Sequence, residues 1–420
     1  MDFASAYIGR GALFPKLIDD IPRSDTGVIV VIPAFNEPDI GLCLDSLARS
    51  EPPGVTSEVI IVVNYPPHAT ETEVNGTAET REKAERWSRS NRDTHFRLHI
   101  CDLGSPGIKR WGVGLARKVG MDEAVRRFAA IGNRDGVIAS LDADSFVETS
   151  YFRALKEDLG DNKGATGCSV MFIHRKPTCK SDMRLLAAIT EYELHMRYFV
   201  NALRYTGYPY CHHTLGSAMA VKAQEYVRSG GMNRREAGED FYFIQKMALR
   251  GGFINLNSTT VYPSSRVSSR VPFGTGPEMA RALQSDGGEY RTYHPLLFEP
   301  FRELFRRVED AADRGDISPL CHHLLPRLLA SSTAKESWDS KISEVANNSN
   351  SREAFIKRFY YGFNTFNIVK HLNLWSDSVM KKVPVSYAAL RLAEMNGFTP
   401  KGCDAASLLA LYRDIDRSSR

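Results

Sequence analysis

The chain has 420 residues, 43% hydrophobic and 25% charged, with a formal net charge of +4. This is the composition of a globular protein with room for two domains, and without a dense Lys/Arg block it argues against nucleic acid as a partner. No run of about 18 apolar residues predicts a membrane span, residues 1–30 lack a signal-peptide pattern, and seven scattered cysteines show neither pairing nor CxxC zinc spacing, so a reducing cytoplasm is the expected location.

Residues 1–26 read as an irregular lead-in with at most a short helix. Gly27–Ile32 is an apolar run expected to form a buried strand, stopped by Pro33-Ala34-Phe35-Asn36-Glu37-Pro38. Ile40, Leu44 and Leu47 then recur at helical spacing. Glu58–Val63 is a second strand, ending at Asn64. Residues 70–91 are polar and helical, 96–100 a third strand, and 112–131 a helix. Val137–Leu141 is a fourth strand, ending in Asp142-Ala143-Asp144. Strands alternating with helices imply a mostly parallel sheet covered by helices. In such sheets ligands bind at the carboxyl ends of the strands, where Pro33–Glu37, Asn64, Asp102 and Asp142/Asp144 all fall.

The remainder is less regular. Residues 165–173 predict a strand. Residues 181–204 predict a long helix whose stripe Leu185, Ile189, Tyr192, Met196, Phe199 and Leu203 is core, leaving Glu191, Glu193 and Arg197 on a solvated or substrate-facing side. A short strand at 218–221 follows. A helix then begins at Gly238-Glu239-Asp240, where helix capping is the structural alternative for the two acids. Residues 253–262 hold one or two strands. Residues 263–276, with Arg266 and Arg270, read as a mobile Gly/Ser/Pro loop over the sheet end. From about 290 to 420 the chain reads as helical.

In an extended segment, Asp142 and Asp144 project to one side. A carboxylate pair ending a buried strand needs a partner, and hard oxygen ligands suit Mg²⁺ or Mn²⁺ carried with a phosphate-bearing substrate. The doublets Cys211-His212-His213 and Cys321-His322-His323 lack a fixed second pair and favour packing over zinc.

The ordered set VIVVIPAFNEP, EVIIVVN, GVGLARKVGMDEAV, SLDADS and GGMNRREAGEDFYFIQKMALRGG, over roughly 27–262, resembles the metal-dependent family 2 type of glycosyltransferase with the GT-A fold. The resemblance implies an α/β protein: a mostly parallel, Rossmann-like central sheet flanked by helices, with a helical C-terminal extension. It implies a catalytic domain over 27–290, with 27–145 binding the nucleotide-sugar and 146–290 the acceptor, followed by a helical region over 291–420.

The implied reaction moves a hexose from a nucleoside diphosphate sugar to an acceptor hydroxyl, with Mn²⁺ or Mg²⁺. Pro33, Phe35 and Glu37 would surround the base and ribose. Asn64 stands where the family usually has Asp. Arg117 and Lys118 match the donor-contacting region, and Asp142 would meet ribose or sugar hydroxyls. Asp144 would hold the metal, and Asp240 would be the catalytic base of an inverting enzyme. Arg266 and Arg270 would supply donors to the diphosphate, with surface solvation as an equal alternative. His212, His213 and Glu239 would line the acceptor pocket, and His294 is the expected further metal ligand, with His212, His213 or water as alternatives.

The processive QxxRW signature and membrane spans are absent, which argues against a polymerising transporter. A non-catalytic nucleotide-sugar-binding protein stays open. So does a nucleotidyltransferase, although PAFNEP replaces the Gly-rich loop such enzymes carry after the first strand. The acceptor class (small molecule, glycan or lipid-linked sugar), the sugar, the base, inversion against retention and a homodimer are likewise open.

Overall fold

The computed structural model describes residues 2–107, 112–177, 182–233, 238–268, 274–284 and 289–419. Helix α1 (Ser5–Gly11) leads into β1 (Thr26–Ala34), α2 (Ile40–Ala48), β2 (Thr56–Val63), α3 (Glu71–Ser90), β3 (Phe96–Asp102), α4 (Val113–Ala130) and β4 (Val137–Ser140). Then come β5 (Phe146–Val147), α5 (Tyr151–Ala154) running into a π-helical turn at Leu155–Gly160, β6 (Gly167–Phe172) and α6 (Met183–Tyr205). They are followed by β7 (Met219–Lys222), α7 (Ala223–Arg228), α8 (Glu239–Ala248), β8 (Phe253–Tyr262) and α9 (Thr275–Gln284).

The strands form one sheet in the order β3-β2-β1-β4-β7-β6-β8-β5. Four of its seven pairings are parallel, including the whole run β3-β2-β1-β4. The expected α/β class and mostly parallel sheet are therefore present. Val28 to Ile32 and Val59 to Val62 are wholly buried, because parallel strands covered on both faces have no solvated side. Residues 253–262 form a single strand. Its ladder with β6 breaks register between the Val170–Leu256 and Met171–Thr260 pairs.

The chain divides into two compact units. The first comprises Met1–Leu185, Thr214–Gln284 and Asp416–Arg420, and holds the eight-stranded sheet. Helix α4 lies so close on the sheet that a side chain at Gly120 would collide with Val31 and Val62. Its outer side is covered as well, by α1 and α7. A helix buried all round must pair its charges. Lys118 accordingly pairs with Asp122 at 3.0 Å, which also accepts from the Tyr7 and Tyr226 hydroxyls at 2.6 and 2.8 Å. Arg127 pairs with Glu58, and Glu123 accepts the main-chain N–H groups of Leu17 and Ile18. The expected lead-in is thus fastened to α4.

The second unit comprises Leu186–His213 and Ser285–Ile415. It holds most of α6 and the small antiparallel pair β9 (Arg291–Thr292) and β10 (Val383–Pro384). Its other helices are α10 (Glu299–Arg314), α11 (Arg327–Ser332), α12 (Lys335–Asn347), α13 (Arg352–Gly362), α14 (Thr365–Ser378), α15 (Val385–Met395) and the larger part of α16 (Ala405–Ser418). The expectation of a helical C-terminal region holds.

One expectation for α6 fails. Glu193 and Arg197 are not solvated but 1% and 0% exposed. Arg197 donates to Glu193 at 2.9 Å, and Arg413 of α16 clasps the same carboxylate through two bonds at 2.8 and 3.0 Å. The partner lies 220 residues away, so local periodicity could not assign these charges. Among the described residues, no helix is long and apolar enough to cross a membrane.

Candidate active site

The parallel half of the sheet brings three strand ends together in the first unit. Leu141 N–H bonds the Val31 carbonyl at 3.0 Å and Asn64 N–H the Ala34 carbonyl at 3.3 Å, so β1 ends between Asn64 and the Asp142–Asp144 segment. That segment is not extended. Ser145 N–H bonds the Asp142 carbonyl at 2.9 Å, closing a turn. The period-two rule therefore lapses, and the two carboxylates serve different arginines, contrary to the same-side expectation.

The first arginine is Arg117, 2% exposed at the start of α4. Its Nε donates to Ser140 Oγ at 2.8 Å, one Nη to Asp142 Oδ1 at 2.8 Å, and the other Nη to Glu239 Oε1. Gly216 borders the guanidinium: a Cβ there would lie 2.7 Å from Nη2. Gly216 N–H donates to Asp240 Oδ2 at 2.8 Å, and Phe241 N–H donates to Asp240 Oδ1 at 2.7 Å. Gly238, at φ 70°, makes the left-handed entry to α8 without a side-chain cap. Glu239 and Asp240 thus project from the positive end of α8, where carboxylates are favoured. Neither acts as the N-cap.

Three carboxylates on one buried guanidinium leave an excess of negative charge. Burial pushes the Glu239 carboxyl up to about 7, opposed by Arg117 and reinforced by Asp240. Burial likewise raises Asp240, again opposed by Arg117.

The second arginine is Arg266, just past β8. It donates to Glu37, approaches Asp39 at 3.6 Å and places Nε 3.1 Å from Asp144 Oδ2. The Asn36–Glu37 turn that presents Glu37 is pinned to α3. Asn36, at φ 46°, donates its N–H to Thr77 Oγ1 at 3.2 Å, and Glu37 donates its N–H to Thr80 Oγ1 at 2.7 Å. A side chain at Gly76 would strike the Asn36 amide, so the turn sits tightly on the helix.

A third arginine, Arg175, follows β6. It donates to the Asp144 carbonyl at 2.7 Å and lies 3.7 Å over the Phe146 ring. Its buried Nε has no hydrogen-bond partner among the described residues.

Asp142, Glu239, Asp240 and Arg117 thus form one group, and Glu37, Asp144 and Arg266 another. Pro33 is buried within β1 and Phe35 is half-buried beside it. Asn64 is buried, its amide donating to the Gly112 carbonyl at 3.4 Å. Lys118, expected beside Arg117, instead belongs to the buried Asp122–Tyr7–Tyr226 cluster. One helical position separates the two side chains, which sends them to different sides of α4. Arg270 and part of the expected loop, 269–273, lie outside the described residues.

His212, His213 and His294 belong to the second unit, where His294 Nδ1 accepts the Leu296 N–H at 3.2 Å. His322 there bonds the Thr333 carbonyl, and Cys211 the Tyr208 carbonyl. Among the described residues, no group of three or more His, Cys, Asp or Glu side chains is arranged to hold a metal. Residues not anticipated are Asp39, Ser140, Arg175 and Gly216. Arg175 directly follows a strand, so the strand-end rule could have found it.

No protein-family model and no curated protein sequence matches the chain. Solved structures do. A mannosyltransferase, PcManGT, from Pyrobaculum calidifontis, in complex with GDP-Man and Mn²⁺, is 12% identical, covering 99% of this chain and 92% of its own at a TM-score of 0.37. S. aureus TarS 1–349 in complex with UDP is 14% identical, covering 80% and 91% at 0.35. Glucosyl-3-phosphoglycerate synthase from Mycobacterium tuberculosis, in complex with Mn²⁺, UDP-glucose and phosphoglyceric acid, is 16% identical, covering 63% and 83% at 0.33.

Proposed function

We propose that this protein is a metal-dependent glycosyltransferase of the GT-A type that transfers a sugar from a nucleoside diphosphate sugar to an acceptor hydroxyl with inversion. One observation carries the reading: buried Arg117 joins Asp142, at the end of a parallel strand, to Glu239, beside Asp240 at the start of α8. A strand-end acid suited to a donor and the helix end that carries the acid suited to proton transfer are joined through one cation.

The metal fits with a restriction. Asp144 offers one carboxylate and, among the described residues, no preformed cage surrounds it, which suits Mg²⁺ or Mn²⁺ completed by water and substrate phosphates. Bound there, such an ion would neutralise charge developing on the departing diphosphate. Pro33, Phe35, Glu37 and Asn64 would receive base and ribose, and Asp142 the sugar hydroxyls. Arg117 orients Asp142 and Glu239, and Lys118 is left to packing.

Asp240 would take the acceptor hydroxyl's proton as the acceptor oxygen bonds the anomeric carbon and the bond from that carbon to the diphosphate oxygen breaks. Its two main-chain N–H partners fix the carboxylate's direction without adding a competing charge. Glu239 would border the acceptor. In this reading 27–290 is the catalytic region and 291–420 an accessory one.

The test is a thermal-shift panel of nucleoside diphosphates and their sugars, with and without Mn²⁺. A ligand at a hundred times its Kd raises stability by about 2.7 kcal/mol. The expected result is a metal-dependent shift with one nucleotide-sugar, lost in Asp144→Ala. No shift across the panel sinks the reading. Release of pyrophosphate during turnover would replace it with nucleotidyl transfer.

A further inference from the structure

Arg266 is the common partner of Glu37, Asp39 and Asp144. Glu37 is 2% exposed and its main chain is pinned to Thr80, so that carboxylate is fixed in place and Arg266 comes to it. The Arg266 side chain is 25% exposed, so departure into solvent is open to it. Its Nε lies 3.1 Å from the carboxylate oxygen of the residue read above as the metal ligand. A guanidinium and a dication on one carboxylate repel each other, and Arg175 already adds positive charge beside Asp144.

We propose that Arg266 is an internal counter-ion, offsetting part of the acid cluster's negative charge in the free protein and competing with the divalent cation for Asp144. The inference rests on the metal-dependent reading of this same site. Metal alone must displace Arg266 and leave it with fewer partners. Metal arriving with a diphosphate gives the displaced guanidinium a new anion, with geometry that favours bidentate pairing. Metal and nucleotide therefore bind with positive coupling, and by linkage each strengthens the other by the same factor.

The experiment measures Mn²⁺ affinity by electron paramagnetic resonance of the free ion. It compares wild type, Arg266→Gln, Arg266→Lys and the Arg266→Gln/Asp144→Asn double variant, alone and with UDP or GDP. Removing a charge-assisted competitor is expected to tighten Mn²⁺ binding in Arg266→Gln about tenfold or more without nucleotide. The gain should vanish in the double variant. The nucleotide that tightens Mn²⁺ binding in wild type should do so less in Arg266→Gln.

Equal or weaker Mn²⁺ binding by Arg266→Gln, with nucleotide still recruiting Mn²⁺ through Asp144, overturns the counter-ion role and leaves the metal reading standing. No Mn²⁺ binding by any variant, with either nucleotide, removes the metal reading and this inference with it. If Arg266→Gln does not fold, Arg266→Lys decides. A point charge cannot span three carboxylates, so a smaller tightening in the same direction is expected, and unchanged affinity overturns the proposal.

Discussion

The guanidinium of Arg117 occupies the space a side chain at Gly216 would need: a Cβ there would sit 2.7 Å from Nη2 and 2.8 Å from Cζ. The same glycine donates its N–H to Asp240. Gly216→Ala should therefore do two kinds of damage. Overpacking of this sort costs about 1–3 kcal/mol, and the shift of Arg117 should release both Asp142 and Glu239. A lowered denaturant midpoint together with a loss of transfer activity is the expected pair of results. A fully active, equally stable Gly216→Ala protein would show that this contact does not organise the site.

Asp240 is the proposed base, and its removal should separate binding from chemistry. Asp240→Asn should lower kcat by about 10²–10⁴-fold while leaving nucleotide-sugar affinity within a few fold. Collapse of donor affinity in that variant would make Asp240 a donor contact. Burial raises its pKa, so the acid limb of the kcat/KM profile should lie above the ordinary carboxylate range.

Glu239 makes a separate claim on stability. Its folded-state pKa, about 7, exceeds the ordinary 4.5, so the folded protein holds a proton that the unfolded chain has released between those values. Stability contributed by this group is present below about 4.5 and falls as pH rises toward 7. Glu239→Gln should remove that slope. Parallel pH–stability curves for wild type and variant over this window would contradict it.

Arg175 holds the Asp142–Ser145 turn, proposed above to bind the metal, through the Asp144 carbonyl and the Phe146 ring. Arg175→Lys keeps the charge but loses the planar stacking. Weaker Mn²⁺–nucleotide binding, by roughly tenfold, is expected on the scale of one charge-assisted hydrogen bond. Unchanged affinity in titration calorimetry would reduce Arg175 to a bystander.

Lys118 provides the contrast. Removing one partner of a buried ion pair costs about 3–5 kcal/mol. Lys118→Met should therefore melt earlier, because buried Asp122 loses its cationic partner, yet bind donor as the wild type does below its melting point. A donor-binding defect with normal stability would return Lys118 to the donor site.

Much of this architecture is legible in the chain itself. The apolar runs in Gly27–Ile32, Glu58–Val63 and Val137–Leu141 read as buried strands, and the helices between them imply parallel pairing. That places Glu37, Asn64 and Asp142 at one edge from local pattern alone. What local pattern could not assign were the charges whose partners are distant. Arg117 and Lys118 are neighbours in sequence, yet one meets Glu239, 122 residues on, and the other Asp122, one turn along the same helix. Glu193 and Arg197 read as a wet face until Arg413 closes over them. The turn at Ala143 sends Asp142 to Arg117 and Asp144 to Arg266, a choice that depends on the chain after β8 bringing Arg266 to Glu37 and Asp144. Periodicity reports which side of an element is apolar, because burial follows hydrophobicity along the chain. The pairing of buried charges follows Coulombic contact across space, and only the tertiary structure decides it.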